Sequence, residues 1–336
     1  MKESRVSQAT IDDVAQRARV SISTVSRVLN NRDRVHPETR ERILRAMREL
    51  QYQPSAMARG LANQRTHTLG FIIPTISDPF FIEIVRGVED AASSAGYSLL
   101  VASQAQITEH PRYTQLLNQR RVDGVVLVAI EVQRRDIEAV LQSGIPIVLI
   151  QQDIGAGIPT FIADNYGGAC QMTEHLLRCG HRRIAYISGS NHTPDNGERL
   201  RGVRDTLTAH GLRLPANRIA QGNYLRGSGY EAMMQLLKQT ELPDAVFAAN
   251  DQMASDALIA LQENGLRVPD DVAVVGFDDV PLASYVTPAL TTVHQPAYEL
   301  GLQAAQCVLQ ALEKPMNTEH VVLPTHLVVR KSCGCP

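Results

Sequence analysis

From Leu69 onward the chain alternates short apolar runs with longer amphipathic stretches, and this rhythm restricts the fold more than any other feature. Strand candidates are Leu69–Ile73, Ser98–Ala102, Gly124–Ala129 and Pro146–Ile150, followed by Arg183–Ile187, Ala245–Ala249 and Ala273–Phe277. Segments between them, such as Phe80–Ala95 and Gln252–Asn264, have helical periodicity. Strands buried on both faces read as unbroken apolar runs, so the pattern predicts parallel sheets covered by helices on both sides. Ligands in such sheets bind beyond the carboxyl ends of the strands. The residues found there are polar or aromatic: Ser77-Asp78-Pro79-Phe80-Phe81, Asn250-Asp251 and Asp278-Asp279 follow three of the runs. Tyr224 follows the Arg218–Gln221 segment, Gln295 ends Leu290–His294, and Arg199 opens a helix before Gly202. Aromatic rings stack on the C–H face of a sugar, while Asp, Asn, Arg and Gln bind its hydroxyls.

With 336 residues the chain has material for about two domains. At 44% hydrophobic and 20% charged residues it is not a disordered chain. No stretch approaches the ~18 apolar residues of a membrane span. The opening Met1-Lys2-Glu3-Ser4-Arg5 lacks the apolar core of a signal peptide, so the expected location is cytoplasmic, away from any membrane. Five scattered cysteines are not a disulfide framework. Cys333-Gly334-Cys335 lacks the second pair that four metal ligands would need and is expected to be a reduced, mobile tail. His175 and His181, six apart, are expected at the surface, with no metal between them.

The net charge of −2 conceals an asymmetry. Residues 1–65 carry 13 Lys and Arg against 7 Asp and Glu, or +6, and the other 271 residues carry 20 against 28, or −8. A basic head on an acidic body suits contact with a polyanion through the head alone, although a solvated basic face would look the same. The local pattern decides between them. Thr10 caps a helix with Asp12 and Asp13 in its first turn and Ile11, Val14, Ala15 and Ala18 on one face. After Arg19-Val20-Ser21 a second helix runs from Ile22 to about Leu29, and Pro37 opens a third with Ile43, Ala46, Met47 and Leu50 inward. Two short helices joined by a tight turn and braced by a third make a helix-turn-helix, and the second helix carries hydroxyl, amide and guanidinium groups suited to phosphates and base edges.

Thr10-Ile11-Asp12-Asp13-Val14-Ala15 and Val20-Ser21-Ile22-Ser23-Thr24-Val25-Ser26-Arg27-Val28-Leu29-Asn30 resemble the DNA-binding headpiece of the lac-repressor family. The likeness continues through Pro37–Ile43 and Leu50–Pro54. It implies base reading by Ile22, Ser23 and Arg27, and backbone contacts by Ser21, Thr24, Ser26, Asn30, Arg34 and Thr39. Two departures stand out: Arg19 replaces the usual glycine of the turn, where positive φ is required, and His36 replaces a capping Ser or Thr. Ser55–Ala62 is too short for a stable isolated helix. The resemblance makes it a hinge helix that enters the minor groove, with Leu61 as the wedge that bends the duplex.

The resemblance extends over the body, which is similar to periplasmic sugar-binding proteins of the ribose type. Ala248–Ala254, Val275–Asp279 and Pro288–Pro296 carry it. It implies an all-α helix-turn-helix headpiece (1–53), a hinge (54–68) and a two-lobed α/β periplasmic-binding-protein-like core with parallel sheets (69–336). One lobe comprises about 69–166 with 296–325, the other about 167–295 with 326–332. Phe80, Phe81, Arg199, Tyr224, Asn250, Asp278 and Gln295 fall on effector positions. Gln151 stands where sugar binders often have Asp, which fits a neutral ligand and leaves an acidic one open, and Thr193 stands where purine binders have an additional arginine.

The expectation is a homodimeric repressor on a near-palindromic double-stranded DNA operator, released by a sugar or related polyol. The alternatives are a nucleoside-like co-repressor and a transport-type sugar-binding protein. The chain shows no leucine heptad after the core, so a tail-mediated tetramer is not expected. Gly155-Ala156-Gly157 lacks a third spaced glycine and is followed by Pro159, so it makes no phosphate loop. No enzyme and no cofactor are expected.

Overall fold

The structure, a computed structural model, describes residues 9–29, 35–52, 65–103, 121–130, 137–138, 141–155, 157–191, 193–314 and 320–335. The chain divides into two units, Met1–Thr66 and His67–Pro336.

In the first unit, α1 (Ile11–Ala18) begins at a capping box: the Asp13 backbone donates to Thr10 Oγ1 and the Thr10 backbone donates to Asp13 Oδ2. Arg19 ends the helix in the left-handed region at φ 52°, the conformation expected of the glycine it replaces. α2 (Ile22–Leu29) follows, and α3 (Pro37–Glu49) starts without a side-chain cap from His36. Val14, Ala15, Ala18, Val25, Val28, Ile43 and Ala46 form the buried centre. Arg42 braces it by donating to the Ala18 carbonyl at 2.8 Å, and Arg17 pairs with Glu49 at 2.6 Å.

The second unit holds two parallel sheets. The first contains β1 (Thr68–Ile73), β2 (Ser98–Ser103), β3 (Gly124–Val128), β4 (Ile147–Ile150), β5 (Thr160–Ala163) and β11 (His320–Leu323), in the order β11-β5-β4-β3-β1-β2. The second contains β6 (Ile184–Ser188), β7 (Ile219–Gln221), β8 (Ala245–Ala248) and β9 (Ala273–Val275), in the order β7-β6-β8-β9. Every pairing within them is parallel. β10 (Thr292–His294) and β12 (His326–Val328) form a separate antiparallel ladder. The apolar runs thus become strands, within a residue or two of the expected ends. The four-residue β5, the three-residue β7 and the half-exposed β11 are too short or too polar to stand out as such runs.

The order inverts beside β1 in the first sheet and beside β6 in the second, because the chain turns back there to add strands on the other side. These are the switch points where a crevice opens at the strand ends. Helices α4 (Pro79–Ser94), α5 (Asn165–Arg178), α6 (Pro194–Ala209), α7 (Ser228–Leu236), α8 (Asp251–Glu263) and α10 (Ala297–Ala311) cover the sheets, with a single turn α9 (Leu282–Tyr285). Although α10 lies late in sequence, its Leu300, Ala304, Ala305 and Val308 pack into the core of the first sheet. It meets α4 backbone to backbone: a Cβ on Gly87 would overlap the Tyr298 carbonyl oxygen, and one on Gly301 the Ile84 carbonyl oxygen.

The carboxyl terminus departs from expectation. Cys333 is fully buried, His175 is buried, and Cys179 and Cys335 are joined by a disulfide. The tail is tied to the second lobe: Ser332 donates to the Ala289 carbonyl at 3.1 Å and accepts from Val274 at 3.0 Å. The expected reduced, mobile tail and surface histidine are corrected by this disulfide and packing, which join residues more than 150 positions apart.

The backbone contact between α4 and α10 can be tested directly. Gly301→Ala is expected to destabilise the second unit by ~1–3 kcal/mol in urea unfolding, the range for overpacking a tight site. An unchanged midpoint would mean that the helices do not approach so closely.

Candidate functional site

In the first unit, α2 turns Val25 and Val28 inward and leaves Ser21, Ile22, Ser23 and Arg27 exposed. Thr24, Ser26 and Thr39 are partly exposed. Ile22 is 47% exposed, a sizeable apolar side chain presented to solvent beside polar ones. Ser21 Oγ lies 2.8 Å from both Ser23 Oγ and Thr24 Oγ1 and accepts from the Thr24 backbone at 3.3 Å, so the start of α2 is held by its own hydroxyls. The arrangement offers a short, rigid face of donors and one methyl-rich tip. Asn30, Arg34, Leu61 and the segment 55–62 lie outside the described residues.

In the second unit, a cavity of about 180 Å³ is lined by all seven expected effector residues: Phe80, Phe81, Arg199, Tyr224, Asn250, Asp278 and Gln295. They come from both sheets. Phe80 and Phe81 open α4 just after β1, with ring centroids 5.5 Å apart in an edge-to-face pair. Tyr224 follows β7, and Asn250 follows β8, where its Oδ1 caps α8 and its Nδ2 donates to the Tyr224 carbonyl at 3.2 Å. Asp278 follows β9 in a positive-φ conformation at 111°. Gln295, after β10, donates to Asp278 Oδ1 at 2.6 Å.

Arg199 is the centre of the wall. It is 3% exposed, stacks over Phe277 with 3.9 Å to the ring centroid, and donates to Asn165 Oδ1 at 2.7 Å. Its Nη1 donates to the Ala249 carbonyl at 2.5 Å and reaches Asp278 at 3.4 Å. A buried guanidinium needs its donors satisfied, and these partners, from three strand ends, take up Nε and Nη1.

Two carboxylates join this wall that the sequence reading left out of the site. Asp78, directly after the first strand, accepts from Phe80 at 3.0 Å as the cap of α4. Asp195, in the first turn of α6, accepts from Gln151 Nε2 at 3.0 Å, a bond that spans the two lobes. An acid at a helix start ordinarily reads as a cap or a dipole partner, and Asp195 reads only as that, whereas Asp78 belongs to the strand-end segment Ser77–Phe81 without counting among the expected effector residues. Only the inversion of strand order brings them to the same crevice.

Three carboxyl groups now face one guanidinium. Burial pushes Asp195 up to about 6 and Asp278 up to about 7, with Arg199 opposing both shifts. Burial also raises Asp78, and it raises Tyr224 to about 12. Gln151, at φ 77°, leaves its Oε1 buried and without a partner, alone in this among the described side chains. The cavity therefore offers carboxylate and amide acceptors, aromatic faces and one cation already held by the protein. Such a lining fits a small neutral ligand rich in hydroxyl donors and opposes an anion.

With this geometry in view, likeness to other proteins becomes informative. Residues 10–55 match the bacterial regulatory proteins of the lacI family, and residues 173–333 match a periplasmic binding protein-like domain. Over 325 residues the chain is 37% identical to a ribose operon repressor of Halalkalibacterium halodurans, covering 96% of each. The chain belongs to the lacI family. A lac repressor dimer bound to operator and the anti-inducer ONPF superposes with a TM-score of 0.85 at 30% identity, covering 97% of this chain and 99% of that one. A transcriptional regulator CelR–cellobiose complex does so with 0.74 at 36% identity, covering 96% and 99%. The lacI family is one of transcriptional regulators, not enzymes, and no described helix is long and apolar enough to cross a membrane.

For this lacI-family chain the buried acids have a consequence for stability. Because Asp195 and Asp278 hold their protons more tightly folded than unfolded, the stability they contribute is complete below about pH 4 and is lost as the pH rises through 6 to 7. Urea unfolding of the ligand-free protein is expected to show a loss on the order of a few kcal/mol between about pH 4 and 7, levelling off above. Asp195→Asn, which keeps an acceptor for Gln151, flattens that slope. Coincident slopes for the two proteins would remove Asp195 as a source.

Proposed function

We propose that this chain is a homodimeric transcriptional repressor that reads a near-palindromic operator through α2 and is released from it by a small neutral sugar or related polyol. The observation that carries the effector class is the lining of the strand-end cavity. Hydroxyl groups of a pyranose or furanose can donate to Asp78, Asp195, Asp278 and the unpartnered Gln151 Oε1, while its C–H face lies against Phe80 and Phe81. The cavity, at about 180 Å³, lies below the ~300–1,000 Å³ of sites for drug-sized ligands. A monosaccharide suits that space better than a two-ring nucleoside, and Thr193 adds no cation for a nucleobase.

The ligand touches both sheets, so it favours whichever arrangement of the lobes closes around it. Operator binding favours one arrangement as well. By linkage, effector and operator change each other's affinity by the same factor. Release by effector follows if the closed form is the one that binds DNA less well. The family relation to a ribose operon repressor and to a cellobiose-bound regulator supports a saccharide as the ligand. A regulator that meets the chromosome works in the cytoplasm.

On the DNA side, the exposed Arg27 of α2 is our candidate for bidentate pairing with a guanine edge. Arg27→Ala is expected to weaken specific operator binding by ~1–3 kcal/mol, about 5- to 150-fold, with non-specific binding changed far less. Leu61→Ala is expected to weaken operator binding while leaving effector binding intact. Fluorescence anisotropy on labelled operator and scrambled duplexes reads both, and equal losses on the two duplexes for Arg27→Ala would exclude base reading.

The effector class is tested by thermal shift of the full chain against monosaccharides, polyols, nucleosides and sugar phosphates. A neutral saccharide is expected to raise Tm, Asp278→Asn to abolish the rise, and addition of the same compound to release operator. A response confined to sugar phosphates or nucleosides would overturn the neutral-saccharide reading. A compound that tightens operator binding would overturn release.

A further inference from the structure

The cysteines outside the cavity carry an inference whose geometry is independent of the effector and whose reducing surroundings rest on the DNA-regulator reading above. His175 lies in the last turns of α5, and Cys179 caps that helix four residues later. Cys333 and Cys335 arrive from the far end of the chain, with Gly334 between them at φ 71°, a left-handed turn that points both cysteines at the end of α5. His175 Nε2 lies 3.3 Å from Cys333 Sγ and 3.7 Å from Cys179 Sγ. The donor atoms of His175, Cys333 and Cys335 all fall within 4.8 Å of one another, and Cys179 and Cys335 have Cα atoms 5.5 Å apart. His175 and Cys333 are buried.

We propose that, in the reduced chain, His175, Cys179, Cys333 and Cys335 form a tetrahedral Cys₃His site for a zinc-type divalent ion. Zn–S bonds of ~2.3 Å and Zn–N bonds of ~2.0–2.1 Å put ligand atoms about 3.6 Å (N to S) and 3.8 Å (S to S) apart in a tetrahedron. The His175 distances already bracket that spacing. Cys179 and Cys335 need only exchange their bond for a separation of that size. A dithiol reductant supplies the exchange: the protein S–S bond takes two electrons and two protons to give two thiols, and the dithiol closes to its own disulfide. Ion binding then displaces three thiol protons and uses the imidazole Nε2 lone pair. A bacterial regulator working on chromosomal DNA meets a reducing thiol pool, where such cysteines more often hold metal than bridge.

The surroundings fit an ion. α5 ends here, and the partial negative charge of its last carbonyls favours a cation. His181 Nε2 lies 2.9 Å from the Cys333 carbonyl oxygen and fixes the turn that presents both tail ligands. Three thiolates and a divalent ion leave one negative charge, and Arg178, Arg182 and Lys331 lie within a few positions of the ligands in sequence. The filled site fastens the tail to α5, whose other end carries the Asn165 that holds Arg199.

The test uses the full chain, reduced with a phosphine and freed of metal by a chelator, then titrated with Co²⁺ and with Zn²⁺. One ion per chain is expected, with thiolate-to-cobalt charge transfer and the intense visible bands of tetrahedral cobalt, bleached by one equivalent of Zn²⁺. Cys335→Ser, at a half-buried position near the end of the tail, is expected to weaken the ion by more than the ~10–100-fold typical of losing an outer-shell partner. Cys170→Ser and Cys307→Ser leave it unchanged, and Zn²⁺ shields three of the five thiols from alkylation. No cobalt spectrum in the reduced chain, or one equally strong in Cys335→Ser, overturns the site. Equal alkylation of all five thiols with Zn²⁺ present overturns it as well.

Discussion

The buried guanidinium of Arg199 is the constraint from which the cavity of the second unit is built. A cation at 3% exposure persists only if its donors are taken up, and here the takers are Asn165 Oδ1, the Ala249 carbonyl and the Asp278 carboxylate. Each belongs to a different segment: the start of α5, the end of β8 and the end of β9. Removing the side chain would leave three buried acceptors short of a donor and a carboxylate without its cation, a change that costs more than the pair is worth when intact. The same group that shapes the wall also restrains the acidity of Asp195 and Asp278.

Below that wall a second polar layer works in the same way without reaching the cavity. Asp251 is fully buried, accepts from Thr292 Oγ1 at 2.5 Å and from the Val280 backbone at 2.9 Å, and is lifted well above the usual carboxylate range by burial and by Asp278. Asp279 sits at its edge, accepting from Arg330 at 2.7 Å and lying 3.0 Å from His294 Nδ1. These bonds tie β9, β10 and the segment after β12 together where the chain crosses between lobes. The crossing region is thus held by directional polar contacts.

Much of this was legible in the sequence because it is written in local patterns. Unbroken runs such as Gly124–Val128 and Ile184–Ser188 could only be doubly covered strands, and the Thr10–Asp13 capping box announced α1. The seven residues that the family resemblance marks as effector positions line one cavity, and each stands after a strand or in the helix that follows one. What escaped had a sufficient local explanation. Asp78 and Asp195 look like helix-start acids, and Asp78 is one as well as a cavity residue. His175 looked like a helix-surface histidine. Cys333 and Cys335 had no partner within reach in sequence, and their partners lie on a helix more than 150 residues earlier. Long-range meetings of this kind follow from strand order, which no window of sequence contains.

The first unit faces the opposite physical problem. Its centre consists of seven small or medium apolar side chains, and a core of that size supplies little beyond the entropy of ordering the chain. On the outer face of α2, Ile22 stays 47% exposed where burial would have helped. Arg19 adds a further cost by holding a left-handed conformation that glycine adopts without penalty. Stability is recovered through contacts that leave the outer face of α2 untouched: the capping box at Thr10, the Arg42 bond to the Ala18 carbonyl and the Arg17–Glu49 pair all lie on α1 and α3. The arrangement keeps the reading helix rigid at its buried side and unencumbered at its exposed one.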